Sequence, residues 1–167
     1  LVAGQFTLIP DSAFEQALIN LGIDNALDGV VASSSISAID TLIISNSNIE
    51  NLEGISGFHS LTYLDCSVNN LDTLDLTVNY LTFLDCSGNN LEYIDISNHV
   101  ALLTFKCNYN EFSQLDVNAN TSLLYFECYE NQLISLDVSS NIFLTELRCN
   151  ANQLSYLDVQ GVDMHVL

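Results

Sequence analysis

The chain repeats itself about every 21 residues, and this period constrains its fold more than any other feature. Its cysteines are separated by 20, 21, 21 and 21 residues. Aligning the chain on them gives a unit that reads L-x-x-L-x-C-x-x-N-x-L-x-x-L-D. The cysteines of the five matching units are Cys66, Cys86, Cys107, Cys128 and Cys149. One unit is too small to bury its own apolar side chains, so the period predicts a solenoid of stacked units.

A sixth, more divergent unit precedes these five. Its apolar positions are filled by Ile39, Leu42, Ile44, Ile49 and Leu52. In every unit, buried and exposed residues alternate around the cysteine position, which is typical of a short strand with one buried face. We therefore predict an α/β solenoid of about six coils with one parallel β-sheet. A coil of 21 residues leaves little room for a helix, so the convex side is expected to be extended.

The unit resembles the leucine-rich repeat, with cysteine in one leucine position. It is similar to the cysteine-ladder repeats of internalin J and to the 21-residue secreted repeats common in Bacteroidetes. The segment 9–18 also resembles the capping segment that precedes repeats in the latter group. The resemblance implies a binding protein that is secreted or located at the cell surface. The chain begins at Leu1 without an initiator methionine, so it is expected to be a mature or shortened form.

Residues 1–38 are predicted to form an N-terminal capping segment with one helix. Ser12 and Glu15 fit a capping box at its start, and Gly22 fits its end. One apolar helix face is expected to cover the first coil, and it comprises Phe14, Ala17, Leu18 and Leu21. The solenoid of six repeats is expected over residues 39–160. Residues 161–167 form a tail with no evident cap, so we expect the natural protein to continue there or this end to pack on something else.

Charge excludes several classes of partner. The chain has 2 basic and 21 acidic residues, for a net charge of −19. Nucleic acids and anionic membrane surfaces require a basic surface, so neither is an expected partner. Membrane insertion is not expected either, because no apolar run is long enough to span a bilayer.

Three columns of polar or thiol residues recur in the units, and two of them, the cysteines and the aspartates, could suggest metal or redox chemistry. The cysteines lie too far apart for a zinc site and are expected to be reduced, inward-pointing core residues. The asparagine of each unit is expected to stack in a turn and satisfy backbone groups. An outward aspartate column is expected to cap turns, with a calcium ladder as the alternative, and comprises Asp75, Asp95, Asp116, Asp137 and Asp158. No cofactor is expected.

Two weaker signals complete this search. Asp24, Asp28 and Gly29 faintly resemble a calcium loop, but an ordinary turn is the preferred interpretation. His59, His99 and His165 share no obvious phase and are expected to be solvated turn residues. Because no catalytic motif appears, the chain is predicted not to be an enzyme.

The candidate site is the exposed, concave face of the sheet, where the repeats diverge although their core positions do not. Exposed aromatic side chains concentrated on one surface favour binding. Both basic residues of the chain also fall on this face. The candidate ligand-binding residues are Tyr63, Asp65, Phe83, Asp85, Lys106, Tyr109, Tyr125, Glu127, Tyr129, Glu146 and Arg148. The alternative is that aromatic residues merely favour strands.

Three functions fit these features. The leading hypothesis is protein–protein recognition or adhesion outside the cell, through the sheet face. The second is polysaccharide binding, as an accessory module of a larger secreted protein, because aromatic rings beside carboxylates also suit sugars. The third is a structural spacer. Fold alone cannot choose among them.

Overall fold

The structure, a computed structural model, describes residues 5–76 and 80–162. The N-terminal part contains strand β1 (Phe6–Leu8), helix α1 (Ser12–Asn20), strand β2 (Val30–Ala32) and the short helix α2 (Ser33–Ile36). The repeats then contribute β3 (Thr41–Ile43), β4 (Tyr63–Asp65), β5 (Phe83–Asp85), β6 (Thr104–Lys106), β7 (Tyr125–Glu127), β8 (Ser135–Asp137), β9 (Glu146–Arg148) and β10 (Tyr156–Asp158).

One six-stranded parallel sheet runs along the repeats. Its strand order is β3-β4-β5-β6-β7-β9, so each coil adds one strand beside the strand of the preceding coil. The middle residue of each of these strands points into the core and is buried, as Leu64 and Leu84 show. Phe105 and Phe126 hold the same position in neighbouring coils, and their rings stack with centroids 5.4 Å apart. The predicted parallel leucine-rich-repeat solenoid is confirmed.

The side opposite this sheet is extended, as predicted. In the last coils it forms a second parallel pair, β8 with β10, in which Leu136 faces Leu157. The only helical segment of the repeats, within the described residues, is the single 3-10 turn Ile55–Gly57. Antiparallel pairing occurs between β1 and β2, which belong to the N-terminal cap and not to the repeats.

The cysteine column lies inside the solenoid, as predicted. Cys66, Cys86, Cys107 and Cys128 are fully buried, and Cys149 of the last coil is partly exposed. All five thiols are free. The Cys66 and Cys86 thiols each donate to the carbonyl oxygen of the residue before the next cysteine, at 3.5 Å. Burial raises the pKa of each buried thiol, so these cysteines behave as small core residues.

The asparagine column forms the predicted ladder. The Asn89 side-chain nitrogen donates to the carbonyl oxygens of Cys66 and Cys86, and its Oδ1 accepts from the backbone N–H of Leu71. The same pattern is repeated by Asn110, and Asn131 and Asn152 continue it. Each asparagine therefore joins its own coil to the previous one through groups that the sheet does not pair.

A second buried polar column was not predicted. It comprises His99, Asn120 and Asn141, which are 21 residues apart and lie in the turns after the extended side. The Asn120 side chain donates to the carbonyl oxygens of Ile96 and His99, both at 2.9 Å. His99 accepts from the backbone N–H of Leu81 at 3.2 Å. The expectation of a solvated His99 is wrong, because this residue is 1% exposed. His59 is exposed, and His165 lies outside the described residues.

The helical cap is present, but the predicted capping box is wrong. Asp11, not Ser12, caps α1, since its Oδ1 accepts from the backbone N–H groups of Ala13 and Phe14 at 2.8 and 2.9 Å. Leu21 does not join the buried face, because it lies past the end of the helix and is 49% exposed. Gly22 ends the helix in the left-handed conformation, as predicted.

Two carboxylates attach this cap to its surroundings. Glu15 is buried, and its Oε1 accepts from the backbone N–H groups of Asp28, Gly29 and Val30. The Oδ2 atom of Asp11 accepts from Glu50 and Asn51 of the first coil, both at 2.8 Å. Asp11 therefore caps the helix and fixes it to the solenoid with one side chain.

Apolar contact completes the attachment. The rings of Phe14 and Phe58, both fully buried, stack with centroids 6.3 Å apart. The helix thus covers the apolar end of the first coil, as terminal repeats require. At the other end, Gly161 and Val162 are described, whereas the rest of the predicted tail, 163–167, lies outside the described residues.

Candidate functional site

The outward side chains of the six-stranded sheet, together with the residues that directly follow its strands and continue its backbone ladder, form the surface that we call the sheet face. Strand register sets its columns directly. The first column runs Thr41, Tyr63, Phe83, Thr104, Tyr125 and Glu146, and the second runs Ile43, Asp65, Asp85, Lys106, Glu127 and Arg148. The structure therefore brings together on one surface the strand residues predicted for the candidate site. Most of the predicted site residues are half-buried, whereas Tyr109, Tyr125 and Arg148 are exposed.

Two aromatic pairs lie on this face. The rings of Tyr63 and Phe83 are stacked, with centroids 3.9 Å apart and planes 2° apart. Tyr109 and Tyr129 meet edge to face at 5.3 Å. Tyr125 has no such ring partner among the described residues and is 48% exposed. Aromatic rings offer much contact area with little loss of side-chain freedom, which suits a binding surface.

The backbone that follows the sheet holds Tyr109 in an unfavourable conformation. Tyr109 has a φ angle of 55°, and the equivalent residues of two other coils, Val68 and Glu130, have φ angles of 54° and 53°. Gly88 holds this position in another coil, with φ of 64° and without a side chain to strain. Left-handed backbone costs a non-glycine residue of order 1 kcal/mol or more. The tyrosine ring is thus kept on the face despite a conformational cost.

The two aspartates of the second column are fixed by serines. In Asp65 the Oδ1 atom accepts from the backbone N–H and the hydroxyl of Ser67, at 3.0 and 2.6 Å. Asp85 makes the same two bonds with Ser87, at the same distances. The serines were not among the predicted site residues. The Asp-x-Ser spacing is the signal that could have found them, because residues two apart on a strand share a face.

The two cations of the face differ in their surroundings. Arg148 is ion-paired with Glu146 at 2.7 Å and with Glu127 at 3.5 Å. Lys106 lies between Asp85 and Glu127 in register, yet it makes no ion pair within 4.0 Å to any described residue. The negative charge of the C-terminal part of the face is therefore partly compensated by Arg148, whereas no ion pair compensates Asp65 and Asp85 among the described residues.

Asn108 is a further residue that sequence reasoning did not place in the site. It follows Lys106 on the same strand line and is 6% exposed. Its Oδ1 is buried and has no hydrogen-bond donor within the described part of the chain. Burial of an acceptor without a donor is costly, and Asn120 and Asn141 each bury an Oδ1 atom in the same way inside the solenoid.

The aspartate column on the opposite side caps turns, as predicted. Asp95, Asp116 and Asp137 each accept from the backbone N–H two residues later, at 2.9 Å. Hydrogen bonds from the Ser97 side chain and backbone lower the pKa of Asp95, and Ser139 does the same to Asp137. Asp158 caps Gln160 in the same way.

Residues 5–76 and 80–162 contain neither a metal-binding cluster nor a helix that could span a membrane. No group of three or more His, Cys, Asp or Glu side chains there is placed to hold a metal ion. The predicted turn at Asp24 and Asp28 directs the backbone N–H groups of residues 28–30 at Glu15. In the same part of the chain, the helices are too short and too polar to cross a membrane.

Comparison with solved structures identifies the architecture. The functional domain of internalin J from Listeria monocytogenes, which includes a cysteine ladder, matches all of this chain with 25% identity and a TM-score of 0.66. This chain spans 48% of that structure. Internalin C2 from the same organism matches 96% of this chain, which in turn covers 90% of it, with 19% identity and a TM-score of 0.66.

A third structure, the leucine-rich repeat domain of APL1, matches 78% of this chain with 23% identity and a TM-score of 0.69, and the match covers 37% of that domain. No protein-family profile matches the chain, and no curated protein sequence does. Leucine-rich-repeat folds are commonly protein-interaction modules and are typically non-catalytic scaffolds.

Proposed function

Because the chain is a leucine-rich-repeat protein that resembles internalin J, we propose that it is a non-catalytic binding module. It recognises a partner protein through the sheet face. The proposal includes an extracellular location, secreted or at the cell surface, which follows from the same resemblance.

The distribution of aromatic residues carries this proposal. Tyr63 with Phe83, Tyr109 with Tyr129, and Tyr125 all lie on the sheet face, although the inward positions of the same strands hardly vary.

Charge supports a protein partner over an anionic polysaccharide. The chain carries 19 net negative charges, which repel acidic glycans and speed association with basic protein surfaces. A neutral polysaccharide is the second candidate, since aromatic rings beside carboxylates also fit sugars. A glycan array alongside protein capture from the native environment separates the two.

The test compares two faces of the same molecule. Proteins captured by the immobilised chain are identified, and binding of each is measured for Tyr125→Ala and for Tyr93→Ala. Tyr93 is a matched control because it is 72% exposed and lies outside the sheet face, beside Asp95 on the opposite side. A partner that loses affinity with Tyr125→Ala alone supports the proposal, and equal loss with both variants, or loss with Tyr93→Ala alone, contradicts it.

A further inference from the structure

Two carboxylates of the sheet face lie side by side, and in each of them only one of the two oxygen atoms accepts a hydrogen bond. Asp65 and Asp85 are register partners on neighbouring parallel strands, which are about 4.8 Å apart. Both direct Oδ1 at a serine and are therefore held in the same orientation. Their Oδ2 atoms have no hydrogen-bond or ion-pair partner among the described residues. Like charges so placed repel each other, and a cation placed between them would relieve that repulsion.

Neither cation of the chain fills this role. Arg148 lies three strands away from Asp85 and is already paired with Glu127 and Glu146. Lys106 neighbours Asp85 but forms no ion pair to any residue that the structure describes. The two carboxylates thus face solvent without a counter-ion from residues 5–76 and 80–162.

A buried acceptor next to these carboxylates also lacks a donor. The backbone hydrogen bonds from Gly88 to Asn108 and from Tyr109 to Tyr129 extend the parallel ladder past β6. Asn108 follows the inward Cys107, so its side chain lies on the sheet face, beside Ser87. Its Oδ1 is buried without a donor in the described part of the chain. Asn108 therefore borders the two carboxylates, on the strand next to that of Asp85.

An aromatic surface adjoins these acceptors. Tyr63 and Phe83 belong to the same two strands as Asp65 and Asp85 and precede them by two residues, or about 6.6 Å along the strand. Their rings are stacked at 3.9 Å, so they present one joint apolar edge. We call Tyr63, Phe83, Asp65, Asp85 and Asn108 the acidic–aromatic patch.

We infer that the acidic–aromatic patch binds an arginine side chain presented by the partner protein. A guanidinium group carries five N–H donors in a planar fork, which matches the free oxygens of the paired Asp65 and Asp85 carboxylates. The aliphatic stem of arginine packs against aromatic rings, and its charge favours them. A lysine ammonium is compact and strongly hydrated, so it is expected to bind the patch more weakly than a guanidinium group. This inference rests on the proposed function and names the residue type that the site recognises.

The experiment uses three short peptides as probes. Acetyl-Gly-Gly-Arg-Gly-Gly-amide is titrated into the isotope-labelled chain in 150 mM salt, and amide chemical shifts are recorded by NMR. Peptides with lysine or citrulline in place of arginine are the comparisons, since citrulline keeps the shape but lacks the charge. We expect chemical-shift changes confined to residues 63–67, 83–87 and 106–109, and we expect the largest changes with the arginine peptide. The citrulline peptide should bind with at least tenfold lower affinity than the arginine peptide. Equal binding of arginine and citrulline, or of arginine and lysine, overturns the inference.

Variants distinguish a specific subsite from general attraction to an acidic protein. The double variant Asp65→Asn with Asp85→Asn keeps the oxygen that accepts from each serine, and we expect it to bind the arginine peptide at least tenfold more weakly. Asp95→Asn with Asp137→Asn is the matched control, because these aspartates also accept from the backbone N–H of a serine two residues later, but on the opposite side. Equal weakening in both double variants overturns the inference.

Two further measurements complete the test. Lys106→Gln removes the neighbouring positive charge and is expected to strengthen arginine-peptide binding severalfold, whereas weaker binding contradicts the placement of the cation. A partner that depends on Tyr125 but is indifferent to the Asp65 and Asp85 double variant would preserve the proposed function and overturn this inference. If the arginine peptide binds but no partner protein depends on Tyr125, this inference is preserved and the proposed function is overturned.

Discussion

The side-chain nitrogen of Asn110 lies 3.0 Å from the carbonyl oxygen of Cys86, a residue of the preceding coil. The same nitrogen donates to the carbonyl oxygen of Cys107 in its own coil, and Oδ1 accepts from the backbone N–H of Leu91. One buried side chain therefore satisfies three backbone groups in two successive coils.

Replacing this asparagine should be among the most damaging changes in the solenoid. Asn110→Ala leaves buried backbone groups without partners, so we expect it to lower the free energy of unfolding by about 2–4 kcal/mol. Asn90→Ala is the matched control, since Asn90 is exposed and its side chain reaches only Asp72 at 3.3 Å. Urea denaturation measures both, and a similar small change for the two variants would contradict the ladder's role.

Glu15 should stabilise the cap through its three backbone hydrogen bonds. It is 2% exposed, so Glu15→Ala leaves the N–H groups of Asp28 and Gly29 without an acceptor, whereas Val30 keeps Asp28 Oδ1 at 3.3 Å; the change should cost about 3 kcal/mol. Glu15→Gln keeps an oxygen there and should cost less. Hydrogen exchange at Gly29 reports the effect locally, with Gln16→Ala on the exposed side of α1 as the control. Protection of Gly29 that survives Glu15→Ala would refute this role.

His99 should make stability depend on pH in a defined window. Burial lowers the pKa of His99 from its ordinary value of 6.5, and the charge of Asp95 opposes this only in part. As the pH falls below about 6.5, the unfolded chain gains a proton that the folded chain does not, so the folded state loses stability.

The histidine can be compared with its own repeat. His99→Asn introduces the residue found at positions 120 and 141 of the same column. Between pH 7.5 and 5.5, the melting temperature of the wild type should fall more than that of His99→Asn. His59→Asn changes an exposed histidine and should follow the wild type. Parallel curves for the wild type and His99→Asn would contradict the assignment.

The thiols should react in an order set by burial. Four of them are buried with raised pKa values, whereas Cys149 of the last coil is partly exposed. We expect titration of the native protein to modify Cys149 first and slowly, and titration after denaturation to find five thiols. Fewer than four after denaturation without reductant would mean that a disulfide is present.

Tyr125 and Asp116 should separate binding from stability. Truncating a central aromatic residue typically costs about 2 kcal/mol or more, so Tyr125→Ala should weaken partner binding at least tenfold with little change in melting temperature. Asp116→Ala removes the cap on the N–H of Asn118 and should lower the melting temperature by roughly 2 °C without changing affinity. The reversed outcome would place the ligand on the opposite side.

Sequence periodicity predicted the structural features that recur in every coil. The inward leucines, cysteines and asparagines and the turn-capping aspartates are found where the alignment placed them, because each coil solves the same packing problem. His99 escaped the alignment because it stands alone among histidines, although its spacing from Asn120 and Asn141 could have revealed it.

The cap was less predictable because its bonds join distant segments that occur once. Asp11 and Ser12 are both good helix caps, and only the contact of Asp11 with the first coil decides between them. Glu15 has the spacing of a capping-box residue, but its side chain instead accepts hydrogen bonds from the backbone of residues 28–30. The face columns followed from strand alternation, whereas the free oxygens of Asp65, Asp85 and Asn108 depend on side-chain orientation.

The asparagine ladder also decides where this molecule tolerates changes in length. The unit from Cys66 to Cys86 is one residue shorter than the three units that follow it, and the alignment places the missing residue between Leu76 and Leu81. Yet Asn89 reaches back to Cys66 at 3.1 Å, as Asn110 does to Cys86 at 3.0 Å. Insertions and deletions should therefore be accommodated beyond the extended side, while whole coils can be gained or lost as units. A lineage could thus lengthen the array or vary its loops without disturbing the residues that meet a partner.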